Sequence, residues 1–275
     1  RFNRVDGIWR FLQPGRAQAL ERFMREYETI RAAESRGSQD PAYYRALPFA
    51  DLTGRFTTDW QVRAKSYQAL VNNLIVPLEP TRTPLRILDL GAGNSWLSYR
   101  LSKRGHTLAA IDLLVNAHDG LGARTRYDVE FTSIQAEFDC LPLAGKQVDL
   151  AIFNSSFHYS TNYESTLSAV LPVLVPKGAV VILDTPIYSN ADSGSHMVAE
   201  REAQFTQAYG FPSNAIASEN YLTYDRLKVL GRNTGITWEM YKPYRGWRWA
   251  VRPWIARARH RREPAEFLLI IGRVS

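Results

Sequence analysis

A chain of 275 residues, with 45% apolar and 22% charged side chains, can bury a full core, so one domain with elaborated ends is expected. No apolar run approaches the roughly 18 residues of a spanning helix, the start shows no signal pattern, and a lone cysteine, Cys140, excludes an internal disulfide and fits a reducing compartment. The net charge of +7 is local, because Lys242 to Arg262 holds eight basic residues (242, 245, 248, 252, 257, 259, 261 and 262) and no acid, which argues for one directed basic surface rather than a general nucleic-acid coat.

Residues 1–84 read as a helical extension. Pro14 and Gly37 bracket a helix with Leu20, Phe23, Tyr27 and Ile30 at helical spacing. Asp40-Pro41 looks like a cap and first helical residue, and a second long helix over 59–76 places Trp60, Ala64, Tyr67, Val71 and Leu74 on its buried side. Pro77, Pro80 and Pro84 then form a stiff connection. From Leu85 onward, strands are expected near 86–90, 107–111, 129–134, 148–153 and 179–184, with helices near 95–104 and 162–174 and at best a weak helix over 116–126. Helices over 199–209 and 224–233 precede two more strands near 236–241 and 266–273. The alternation implies a Rossmann-like, doubly wound and mainly parallel sheet covered on both faces, formed by residues 85–275. More than twenty residues separate the last two strands, so a basic insertion at 242–264 sits between them.

The most informative stretch runs from Leu85 to Trp96, as Leu-Arg-Ile-Leu-Asp-Leu-Gly-Ala-Gly-Asn-Ser-Trp, followed by Ala109-Ala-Ile-Asp112. It reads as strand, glycine turn, helix, strand, acid, which places a nucleotide-like ligand at the carboxyl ends of parallel strands. Trp96 stands where a dinucleotide fingerprint needs its third glycine, and Asp89 would repel a diphosphate while suiting an ammonium or sulfonium. Asp112, 21 residues after Gly91, is spaced to accept hydrogen bonds from ribose hydroxyls.

These residues resemble the class I S-adenosylmethionine-dependent methyltransferases, whose acid-x-Gly-x-Gly motif is similar to Asp89-Leu-Gly91-Ala92-Gly93 and whose second acid is similar to Asp112. The resemblance implies S-adenosylmethionine as cofactor and an antiparallel last strand. It implies cofactor contacts from Asn94, Leu113, the loop Glu137-Phe138-Asp139 and Asn154, where the fourth strand exits. The chain departs from many members at Ser95, where they carry a glycine. Helical additions ahead of the first strand commonly lie over the ligand mouth in that family.

Arg63, three residues after Trp60, is a candidate partner for the cofactor's methionine carboxylate. His158 and His196, after the fourth and fifth strands, are candidate general bases, since a near-neutral pKa suits that work. No metal-ligand spacing, P-loop or Gly-x-Ser-x-Gly occurs. The expected function is methyl transfer to a small molecule, sugar or lipid head group, at oxygen or nitrogen. The alternatives are a non-catalytic S-adenosylmethionine-binding domain and a nicotinamide-dependent oxidoreductase. A cytoplasmic protein is expected, with peripheral contact to an anionic membrane through 245–262 and no nucleic-acid partner.

Overall fold

The computed structural model describes residues 2–274; the side chain of Arg248, counted above in the basic run, lies outside what it describes. The elements run β1 (Asn3–Val5), β2 (Ile8–Arg10), α1 (Pro14–Ala33), α2 (Pro41–Ala46) and α3 (Thr57–Leu70), which continues through a π-helical turn into α4 (Val76–Leu78). Next come β3 (Arg86–Leu90), α5 (Trp96–Lys103), β4 (Thr107–Asp112), β5 (Thr132–Gln135), β6 (Val148–Asn154), α6 (Tyr163–Val170), β7 (Leu174–Leu183) and β8 (Ile187–Tyr188). The chain closes with α7 (Ala191–Tyr209), β9 (Leu222–Thr223), α8 (Tyr224–Thr234), β10 (Ile236–Tyr241), α9 (Trp247–Ala250), α10 (Arg252–Ala258) and β11 (Leu269–Val274).

Nine strands form one sheet in the order β1-β2-β5-β4-β3-β6-β7-β11-β10, and every pairing from β2 to β7 is parallel. β11 pairs antiparallel with both β7 and β10, as the family resemblance implied. Strand alternation feeds two cores. Leu88, Leu90, Ala151 and Phe153 face α6 and α8, whereas Ile87, Leu150 and Ile152 face Trp60, Tyr67, Leu97 and Leu101 of α3 and α5. The order reverses at β3, whose chain continues to β4 on one side while β6 lies on the other. That reversal opens a crevice at the strands' carboxyl ends.

Two expectations change. The first ten residues are not part of a helical cap, because β2 adds to the sheet edge with Ile8, Trp9 and Arg10 opposite Ser133, Ile134 and Gln135. The signal was Asp6-Gly7, both at positive φ (51° and 76°), a two-residue turn suited to a hairpin. The helix expected from 199 begins at Ala191, where the Asn190 side chain accepts from the Ser193 amide at 2.8 Å. Gly194 inside it marks close packing, since a Cβ there would lie 2.2 Å from the Tyr221 ring.

The basic insertion is only partly free. Arg245 is buried, donating to Ser66 Oγ and to the Phe267 carbonyl, each at 2.8 Å, and lies 3.8 Å from the buried Asp184 carboxylate. Arg252 stacks 3.9 Å over Trp249, Lys242 pairs with Glu266, and Arg262 pairs with Glu200 at 2.7 Å. Arg257, Arg259 and Arg261 are exposed and make no ion pair among the described residues, while Trp254 is 70% exposed. No helix of the described residues is long and apolar enough to cross a membrane.

Arg245 holds the insertion to the sheet by neutralising Asp184, so Arg245→Met should strand a buried carboxylate. A loss of about 3–5 kcal/mol is expected in urea unfolding, and a change below about 1 kcal/mol would show the pair to be dispensable.

Candidate active site

The site is built on the turn after β3. Gly91 sits at φ +72°, and a Cβ on it would lie 2.3 Å from Ser156 Cβ, so only glycine lets β3 leave beside the exit of β6. The Gly91 and Ala92 amides donate to the Ile111 carbonyl at 2.8 and 2.9 Å. Gly93, at φ +52°, donates its amide to Asp112 Oδ2 at 2.8 Å, and the Leu114 amide donates to Oδ1 at the same distance. Ser95 also adopts a left-handed conformation, φ +64°, where a glycine would be relaxed. This costs on the order of 1 kcal/mol and explains the glycine that related turns carry.

A cleft opens over this turn. Its floor includes Gly91, Gly93, Asp112 and Leu113, and its far wall Glu137 and Phe138. Its roof is α1, whose Arg16, Leu20, Phe23 and Tyr27 all line it. Those residues recur every three or four positions, so the stripe that reads in sequence as a core face is here the face over the ligand cleft. Tyr159, which follows β6, closes one end against Phe23 and Tyr27, with ring centroids 6.0 and 6.1 Å away. Sequence reasoning missed this aromatic chamber.

Asp112 accepts two backbone bonds and keeps acceptor capacity toward the cleft. Burial raises its carboxyl to about 6 against the opposing pull of the Leu114 and Gly93 amides. Glu137 reaches the cleft already paired, since Arg16 donates to its two oxygens at 2.6 and 3.0 Å. Phe138 lies edge-on to Phe153 at 5.6 Å.

Other expected residues sit behind the cleft wall. Asp89 is fully buried beneath the turn, accepts from Ser98 Oγ at 2.7 Å, and is pushed up by burial to about 7. Asn94 turns inward, its Oδ1 accepting from the Trp96 amide at 3.3 Å, and Ala92 packs beside Ile8, Ala110 and Leu121. Asn154 ends β6 with a buried Oδ1 that has no partner among the described residues. Arg63 stacks 4.8 Å over Trp60, whose ring meets Trp96 at 6.0 Å beside the turn. Burial lowers its pKa, and no described carboxylate lies within ion-pair distance.

The two histidines part company. His196 lies exposed on α7 and lines no part of the cleft, because the helix begins eight residues earlier than its sequence pattern suggested. His158 stays near the chamber with its ring 4.4 Å from Tyr159 and a buried, unpartnered Nδ1. Burial, then Arg201 and Arg63, drive its pKa down to about 3.

Residues 88–182 match the methyltransferase domain family. A malonyl-[acyl-carrier protein] O-methyltransferase from Buchnera aphidicola subsp. Baizongia pistaciae is 24% identical over 162 residues, which span 59% of this chain and 60% of that relative. Two solved structures share the fold. The CurJ carbon methyltransferase superposes with a TM-score of 0.55 at 14% identity, covering 94% of this chain and 67% of that one. The plantazolicin methyltransferase BpumL, solved with S-adenosylhomocysteine, gives 0.53 at 17% identity over 90% and 99%. Residues 88–182 thus carry a methyltransferase domain, set within a fold that both solved structures share. The bare glycine turn, the spare lone pairs of Asp112 and the apolar wall at Leu113 and Phe138 fit S-adenosylmethionine, the cofactor that the sequence resemblance implies.

Asp112→Ala should weaken S-adenosylmethionine binding roughly 30- to 1000-fold in calorimetry, as losing two charge-assisted hydrogen bonds requires. The wild-type affinity should hold above pH 7 and fall by up to about tenfold per unit below 6, because protonation removes the acceptor. An unchanged affinity in a folded mutant would move the ribose site elsewhere.

Proposed function

We propose that the whole chain is an S-adenosylmethionine-dependent methyltransferase acting on a small-molecule, sugar or lipid-head-group acceptor, at oxygen or nitrogen. One observation carries this reading. Beyond the residues that fit the cofactor, the cleft continues past Phe23, Tyr27 and Tyr159 into a second chamber lined by Arg201, Phe205 and Asn220. A domain that only binds the cofactor has no need of that space. The name of the Buchnera relative specifies O-methylation, which supports oxygen. Trp96, packed between Trp60 and Tyr67 with each ring 6.0 Å away, fills the place a dinucleotide turn leaves open and disfavours the oxidoreductase alternative.

When bound, S-adenosylmethionine supplies an electrophilic methyl group on a sulfonium. The chain's part is to hold and orient. Asp112 takes the ribose hydroxyls, Leu113 and Phe138 flank the base, and Arg63 takes the methionine carboxylate. The α1 roof keeps water from the methyl. A group with pKa about 3 removes protons poorly at neutral pH, so we assign His158 to orienting the acceptor through its free Nδ1. His158→Ala should then raise KM about tenfold with little change in kcat on whichever acceptor an activity panel identifies. A kcat loss of about 10²–10⁴-fold with KM unchanged would restore the general-base role.

A second reading concerns the insertion. Trp254, Ile255, Arg257, Arg259 and Arg261 set exposed apolar and basic groups side by side on and just after α10, a pairing suited to an anionic bilayer surface. The protein should sediment with phosphatidylglycerol vesicles at low salt and be released as salt rises. Arg257→Glu, Arg259→Glu and Arg261→Glu together should abolish sedimentation without altering S-adenosylmethionine affinity. Wild type that ignores such vesicles at low ionic strength would end the membrane reading.

A further inference from the structure

We infer that the second chamber takes an organic monocarboxylate with an aromatic or apolar body, that Arg201 anchors it, and that the carboxylate oxygen is the methyl acceptor. The inference rests on the methyl-transfer reading above and specifies its substrate class.

The chamber wall is aromatic, with Phe23, Tyr27 and Tyr159 shared with the cofactor cleft and Phe205 beyond them. Into this space the fold brings three guanidinium groups, Arg31 from α1, Arg36 from the loop after it and Arg201 from α7. Arg31 is neutralised by Asp119, and Arg36 by Glu34 and Asp59. Arg201 is different. It donates to the neutral Asn220 Oδ1 at 2.8 Å, its Nε is buried with no partner, and no described carboxylate lies within ion-pair distance. A guanidinium placed among rings without a counter-charge is costly until an anion arrives. Asn220 is itself fixed, its backbone amide donating to the His158 carbonyl at 3.1 Å and its side-chain amide to the Ser218 carbonyl at 2.7 Å, so the anchor is built rather than loose.

The surrounding groups exclude other acceptors. An ammonium or amine would face the Arg201 guanidinium, which no described carboxylate neutralises. A neutral hydroxyl would need a base, yet Asp119 and Glu34 are held in ion pairs. Burial raises the Tyr27 hydroxyl well above its usual range, and His158 is driven the other way. A phosphate monoester carries more charge than one spare guanidinium edge can satisfy. A carboxylate arrives already deprotonated and needs one anchoring donor, which leaves its second oxygen free. That oxygen forms the new O–C bond as the methyl carbon–sulfur bond breaks. The bond pair stays with sulfur, which ends as a neutral thioether, and no proton moves.

The full chain saturated with S-adenosylhomocysteine is titrated calorimetrically with benzoate, benzamide, benzylamine and phenyl phosphate. Benzoate should bind at least about tenfold more tightly than each of the others, and Arg201→Gln should erase that preference while leaving S-adenosylhomocysteine affinity unchanged. With methyl-tritiated S-adenosylmethionine, benzoate should yield label released as methanol by alkali. Benzoate binding no better than benzamide, tighter binding of phenyl phosphate, or a folded Arg201→Gln protein that keeps the preference overturns the proposal. The wild-type selectivity alone decides should the variant not fold. Failure of S-adenosylhomocysteine to bind overturns the methyl-transfer reading itself, whereas its binding without carboxylate selectivity overturns only the present inference.

Discussion

The site depends on how closely two strand exits approach each other. β3 and β6 are neighbours, yet their chains depart to opposite sides of the sheet, and the gap between them becomes a binding crevice only if nothing fills it. The absent Cβ of Gly91 is what permits Ser156 to sit against the turn, and the Ser156 hydroxyl then bonds to the Leu90 carbonyl. With the turn pinned from that side and clasped by the Asp112 carboxylate from the other, the backbone at Gly91 and Gly93 is presented bare to the cleft. Three non-glycine residues, Ser95, Ser155 and Asp184, adopt positive φ just beyond the ends of β3, β6 and β7. Strained backbone at this rim of the sheet is in keeping with a preorganised site.

The parts legible in the sequence were those where one residue type has one physical use. Gly91, Gly93 and Asp112 announce a tight turn and an acid at a strand end, and the apolar runs around them alternate as buried parallel strands must. The α1 stripe was legible as a stripe but not as a ligand face, since periodicity reports which side avoids water and says nothing about what covers it. The same ambiguity misplaced His196. A glycine and several small polar residues after β7 resemble a loop, and only the packing of Gly194 on Tyr221 reveals a helix.

Charge was the least legible property. In sequence an arginine defaults to solvent, and the eight basic residues after Tyr241 read as one uniform surface. In the fold the described side chains of that run divide: Arg245 is structural, Lys242, Arg252 and Arg262 are engaged locally, and three arginines remain outward. Arg63 and Arg201, far apart in the chain and unremarkable in pattern, converge on His158 from α3 and α7 and lower its pKa together. The electrostatics of the chamber thus arise from long-range assembly, which no local motif encodes.

The edge strand β2 carries a further consequence. α1 follows it after three residues, so the roof of the cleft is tethered to a strand whose partner, β5, lies about 125 residues later in the chain. Such a pairing cannot form until β5 exists, and it closes a long loop at an entropic cost that local contacts do not offset. During synthesis at about 5–20 residues per second, β2 would wait on the order of ten seconds for β5 before it could dock. The sheet centre is therefore the part able to assemble first, and the ligand-enclosing layer is a late addition made from residues that precede it in the chain. The direction of synthesis and the order of assembly run opposite to each other in this protein.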